Sequence, residues 1–239
     1  MLNIKNHRWI RQIISLFIII IITSSYCIPV HAEITIPTDL QNNLIFKTPI
    51  TTEEQTELYR AWNNTPESVR NALNRRGVQI ICTNVSNTYN NTVPYTNVTI
   101  LGTYSPGART VVQTNDGTWK VRSFNTQPYI AIQPSDDNMT NILYHEIGHC
   151  VSDCNPNPCQ QFTLAQTEEF VQLYKKYRYV IASYDSISEI NTYSSIEMFA
   201  ESYRITMLNP AWLQINAPEL LEYIYQSIDI FAKFEYDMA

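Results

Sequence analysis

The sequence predicts an α+β fold: N-terminal helices with a small, mainly antiparallel sheet, then a helix carrying the chain's paired histidines and a C-terminal helical lobe. Three observations predict it. Residues 51–77 hold helix start and stop signals. Residues 78–133 are β-branched and aromatic, broken by Ser105-Pro106-Gly107 and Asn115-Asp116-Gly117. From Asn138 onward the apolar residues recur at helical spacing.

At the start, Lys5, Arg8 and Arg11 precede an apolar run over 13–22, and small residues end at Ala32. This is the pattern of a secretory signal, and the run is shorter than the ~20 residues a bilayer span needs. Cleavage after Ala32 is expected, giving an exported mature chain 33–239 with no membrane span, expected to be a monomer. Two lobes are expected within it: 33–137 with helices and sheet, and 138–239 with the histidine helix and the helical lobe. The mature chain holds 13 Lys and Arg against 22 Asp and Glu, a net charge of −9. No basic run tracks phosphate, so nucleic acid is not expected as a partner.

Residues 33–50, with Pro37 and Pro49, read as an extended arm. A helix is expected over 53–62 with Thr51 or Thr52 as its cap. A second starts at Thr65-Pro66-Glu67, Thr as cap and Pro at the first position, and stops at Gly77. Strands are expected over 78–82, 97–101, 110–113, 119–124 and 129–133, with Asn115-Asp116-Gly117 as a hairpin turn. Helices follow over 138–151, 163–181, 195–208 and 218–234, with loops over 153–161 and 183–194. Four cysteines remain in the mature chain: Cys82, Cys150, Cys154 and Cys159. In an exported protein they predict disulfides, of undetermined pairing, although the last three could also hold a metal.

The chemistry centres on His145-Glu146-Ile147-Gly148-His149. Four residues along a helix turn ~400°, so both imidazoles leave one face and can reach one Zn²⁺ ion. Glu146 sits beside that ion, placed to take a proton from water. Gly148 costs a helix ~1 kcal/mol against Ala, which suggests that a neighbouring backbone passes close. The mature chain has no other histidine, since His7 and His31 lie in the leader. A catalytic zinc needs a third protein ligand, which must then be a carboxylate or a thiolate. Glu197 and Glu201, i and i+4 on a predicted helix, are the best supply, one to ligate and the other to orient a ligating histidine. Asp153, Glu168 and Glu169 are weaker candidates, and Cys150 lies ~100° round the helix from His149.

These residues give the chain a resemblance. The His-Glu-x-x-His run, Glu197-Met198-Phe199-Ala200-Glu201-Ser202-Tyr203-Arg204 and Asn216-Ala217-Pro218-Glu219 resemble the anthrax lethal-factor-like zinc metalloproteases, which include secreted clostridial Pro-Pro endopeptidases. The resemblance covers about the last hundred residues and implies a gluzincin-like layout. It implies that Glu197 is the third zinc ligand, beside His145 and His149, and that Glu201 is the supporting glutamate. The family also places an oxyanion-binding tyrosine seven residues before the ligand glutamate. Here that position is Ile190; Tyr193, in the expected loop, is the nearest substitute, and Tyr184 lies further back.

The expected function is therefore secreted, zinc-dependent hydrolysis of peptide bonds, with Glu146 as general base and Tyr193 at the oxyanion. A protein or peptide substrate is expected to lie extended along a sheet edge at 129–133. The departure at Ile190 leaves one alternative, a zinc-stabilised binding or toxin-like module with weak or no turnover.

Overall fold

A computed structural model describes residues 35–85, 102–107, 109–113, 119–124, 126–134, 138–154 and 163–234. The expected leader, the expected strand at 97–101, the turn at 115–117 and Cys159 lie outside these residues. The secondary structure is mixed, as expected of an α+β chain. It comprises strands β1 (Leu44–Phe46), β2 (Gln79–Cys82), β3 (Gly102–Ser105), β4 (Arg109–Gln113), β5 (Trp119–Phe124) and β6 (Tyr129–Ile132). The helices are α1 (Thr52–Asn64), α2 (Glu67–Arg75), α3 (Met139–Ser152), α4 (Glu168–Ala182), α5 (Ser186–Asn191), α6 (Ser195–Leu208), α7 (Pro210–Asn216) and α8 (Pro218–Lys233). None of the described helices is long and apolar enough to cross a membrane.

Four strands form one sheet in the order β1-β2-β6-β3, and β4 with β5 makes a separate antiparallel ribbon. In the larger sheet the pairings are not mainly antiparallel. β1 with β2 and β2 with β6 run parallel, and only β3 runs antiparallel to β6. The cause is β1. It falls inside the stretch read as an extended arm, and the α1–α2 pair is the crossover that brings β2 back alongside it in the same direction. A three-residue strand carries too little pattern to be seen in sequence. The expected substrate edge moves as well: β6, at 129–132, is paired with β2 on one side and β3 on the other, and among the described residues the edge strands are β1 and β3.

Thr51 opens α1 with a capping box. Its Oγ1 accepts from the Glu54 amide at 3.1 Å, and its own amide donates to Glu54 Oε2 at 2.6 Å. Thr65 does not cap α2 as expected. Its amide and hydroxyl donate back to Ala61 O, closing α1, and α2 starts after Pro66 without a side-chain cap. Gly77 ends that helix at φ +64°, the left-handed turn a glycine tolerates.

The core is organised round α3 and α6, each buried on nearly every side. Asn138 gives α3 no side-chain cap. Instead Glu57, from α1, accepts from the Thr140 amide at 2.9 Å, and Tyr144 Oη donates to Ala61 O at 3.2 Å. The two helices meet at Gly148. A Cβ there would stand 2.7 Å from Ala200 Cα and 2.9 Å from Ala200 O, the close backbone approach expected of this glycine. α4 and α8 close the far side through Phe170, Phe199 and Tyr223, with ring centroids 5.1 to 6.3 Å apart. The helix expected from 163 begins as a short 3-10 turn at Leu164–Gln166, and Thr167 then caps α4. The expected loop over 183–194 contains α5, capped by Asp185, and α7 lies in the stretch before α8.

No disulfide joins Cys82, Cys150 and Cys154 to one another. Cys82 and Cys150 are buried thiols. Burial, and then the charge of Glu54, pushes Cys82 up to about 12, far from the thiolate a metal or an exchange reaction requires. Cys154 is buried against the Arg76 guanidinium, which also stacks on Phe231. Arg76, which follows the last residue of α2, is thus part of the core.

Candidate metal centre

Two helices supply the centre. On α3, His145 and His149 leave the same face, their ring centroids 4.8 Å apart and their planes nearly perpendicular at 82°. On α6, Glu197 lies in the first turn, where the Ser194 cap fixes its backbone by accepting from its amide at 3.2 Å. The close crossing at Gly148 and Ala200 brings these faces together. Glu197 Oε2 then stands 3.1 Å from His145 Nε2 and 3.5 Å from His149 Nε2. One ligand atom from each of the three residues lies within 4.8 Å of the others, so the group can hold a metal ion.

The dimensions suit zinc. Ligands at ~2.0–2.1 Å in a tetrahedron are about 3.3 Å apart, and the two nitrogen–carboxylate separations bracket that figure. Two imidazoles and one carboxylate are also a donor set of catalytic zinc sites, which keep a fourth position open.

Glu201 stands behind His145. It is fully buried, and its Oε2 lies 3.3 Å from His145 Nδ1. Burial raises the Glu201 carboxyl, but the hydrogen bonds from His145 and Arg204 outweigh it and hold it down at about 2. The ionised group can only accept, so Nδ1 carries the proton and Nε2 faces the Glu197 side. His145 feels the same balance in reverse. Burial disfavours its charged form, and the carboxylates of Glu197 and Glu201 outweigh burial and raise it to about 10. Two carboxylates on one ring demand positive charge at this point, a demand that a divalent cation also meets.

A network that the sequence reading missed holds Glu201 itself. Its Oε1 accepts from Ser188 Oγ at 2.5 Å and from the Arg204 guanidinium, and its Oε2 from Asn191 Nδ2 at 3.4 Å. Arg204, 1% exposed, also donates to both Asp185 oxygens at 2.9 and 3.0 Å and to Asn141 Oδ1 at 2.5 Å. α5 and α6 are thereby tied to α3 through charged groups. One signal was available: Arg204 follows Glu201 by three residues and faces it across a helical turn.

Glu146 is 5% exposed, and burial raises its carboxyl above the usual carboxylate range. Its Oε2 is buried and has no hydrogen-bond partner among the described residues. On its other side Gly102, the first residue of β3, packs directly against it. Tyr193 lies between α5 and the Ser194 cap with its side chain half exposed, and its carbonyl accepts from Tyr174 Oη at 3.1 Å. Tyr184 is engaged elsewhere. Its ring packs edge-on against Trp212 at 4.9 Å and lies 5.7 Å from the Arg204 guanidinium. Of the weaker ligand candidates, Asp153 accepts from Tyr104 Oη at 3.1 Å, and Glu168 and Glu169 open α4. The group that could hold a metal ion contains none of them.

No family model matches the sequence. No curated protein matches it. In fold the chain is similar to the Pro-Pro endopeptidase PPEP-2 from Paenibacillus alvei. The TM-score is 0.51 at 16% sequence identity, over 79% of this chain and 99% of that one. What is shared at that identity is the fold, on a neighbour that is a peptidase.

Proposed function

We propose that the chain is an exported, zinc-dependent endopeptidase acting on proteins or peptides. The observation that carries the proposal is the convergence of His145, His149 and Glu197 on one point, with the buried carboxylate of Glu146 following the first histidine. The fold likeness to an endopeptidase supports it. Export rests on the leader pattern of residues 1–32.

His145, His149 and Glu197 hold the zinc, which when bound polarises the scissile carbonyl and makes water more acidic. Glu201 holds His145 by its Nδ1 proton, so the ring presents Nε2 without rotating. Glu146 takes a proton from the attacking water and delivers it to the leaving amine. A buried carboxyl with a raised proton affinity suits both halves of that task. Tyr193 supplies its phenol to the oxyanion, a role supported by its exposed ring just before the ligand helix. β3, an edge strand lying against α3, pairs an extended substrate through its main chain. Pro-Pro peptides, the target in the fold neighbour's name, belong in the first substrate panel.

Metal removal tests the proposal. Dialysis against a zinc chelator is expected to abolish cleavage of a peptide library, and one equivalent of zinc to restore it. Cleavage that persists in fully metal-free protein would contradict the assignment. Zinc binding without cleavage of any library peptide would favour the alternative, a zinc-stabilised binding or toxin-like module, which rests on Ile190 occupying the tyrosine position.

A further inference from the structure

Gly102 is the point where the sheet touches the proposed base. A Cβ built on it would stand 2.6 Å from Glu146 Oε1, 3.0 Å from Glu146 Cγ and 2.6 Å from Ile142 Cγ2. Its backbone does not call for glycine, since only Gly77 and Gly107 have positive φ among the described glycines. What calls for it is space. β3 runs along α3 from Glu146 and Ile142, opposite Gly102, to Asp153, where Tyr104 Oη is bonded. Gly102 and Tyr104 are two apart and so face the helix from the same side of the strand. Tyr104 and the pairing with β6 anchor the strand, so β3 cannot simply retreat.

We infer that Gly102 is a positioning residue: the absence of a side chain there sets where the Glu146 carboxylate lies. The inference rests on Glu146 being the base of the proposed reaction. Two groups oppose an added methyl, and they yield differently. Ile142 is β-branched on a buried helix and is stiff at χ1. The Glu146 carboxylate ends a flexible chain and has one oxygen without a partner among the described residues, so it is the group that moves. Gly102→Ala therefore swings Glu146 out of its seat and leaves His145, His149 and Glu197 where they are. The expected signature is a defect in turnover with the metal retained, which a loosened fold would not produce.

The test joins kinetics to a stability cycle on the full zinc-loaded chain. Gly102→Ala is expected to lower kcat at least ~10-fold, within the range a general base contributes. KM should change less than ~3-fold, with zinc still near one per chain. Thermal unfolding is then compared for Gly102→Ala in the wild-type and Glu146→Ala backgrounds, which needs no activity. With the Glu146 side chain removed, the Tm loss caused by Gly102→Ala is expected to shrink by at least ~3 °C. An equal Tm loss in both backgrounds, or equal failure to fold, overturns the inference. So does wild-type kcat in Gly102→Ala. If the wild-type chain cleaves nothing while the thermal coupling is present, the proposed function fails and the placement of Glu146 by Gly102 stands.

Discussion

Glu197 and Glu201 lie four residues apart on one helix face, yet the molecule places them under opposite demands. Glu197 faces the point where the histidines converge and keeps a quarter of its side chain exposed. Glu201 is sealed in with Arg204. Glu197→Ala is therefore expected to strip the metal while changing metal-free stability by less than ~1 kcal/mol. Glu201→Ala leaves a buried guanidinium short of a partner and is expected to cost about 3 kcal/mol, with a smaller loss of zinc. Metal content and urea unfolding of both variants check the contrast, and the reverse order would mean their roles are exchanged. The same pair sets an acid limit. The Glu201 carboxyl is depressed to about 2 from an ordinary 4.5, so its contribution is present above pH 4.5 and is lost as pH falls toward 2. Glu146, raised by burial, acts in the opposite sense, so the informative quantity is the difference from a Glu201→Gln variant. That variant should lose the part of the slope between pH 4.5 and 2. Identical slopes would show that Glu201 is not held ionised in the fold. His145 and His149 were legible in the sequence as candidates by their spacing on a helix, and Glu197 and Glu201 by the need for a third ligand, with the choice between the two glutamates implied only by the family resemblance. Asp185, Ser188 and Asn141 were not, because a polar side chain carries no pattern that names a distant partner.

At the scale of elements, the helices with strong local signals formed where expected: α1 behind its capping box, α3 round its paired histidines, α6 round its paired glutamates, α8 from Pro218. The departures share a cause. Thr65-Pro66 reads locally as a helix start, but the same threonine satisfies the end of α1, and only the packed structure decides between them. α5 and α7 span six and seven residues, too short for periodicity to announce them. Gly148 is the element-scale case in which the inference from sequence and the structure agree. Alanine there gains ~1 kcal/mol in helix propensity but presses a methyl on Ala200 Cα and O, backbone atoms that cannot rotate away. Overpacking costs ~1–3 kcal/mol, so Gly148→Ala is expected to destabilise on balance and to weaken zinc binding by prising α3 from α6. Thermal unfolding and a competition titration with a zinc chelator measure both effects. A variant more stable than wild type would show that the crossing is looser than described.

Across the described residues, the sheet and α1 steady α3 while α4, α5 and α8 steady α6, so the candidate ligands come from two supported halves that meet at one crossing. The order of helix and sheet segments was legible in sequence. The strand pairing was not: the crossover through α1 and α2 makes β1 and β2 parallel, and among the described residues β6 is an interior strand with β3 at the edge. That arrangement matters for function, because β3, an edge strand among the described residues, lies against Glu146. The central claim is that Glu146 does chemistry beside a metal it does not bind. The most direct test is the cleavage rate of a peptide substrate by zinc-loaded wild type and by Glu146→Ala at matched zinc content. The account predicts a fall of at least ~10²-fold with zinc retained near one per chain. Cleavage by Glu146→Ala at the wild-type rate would contradict it.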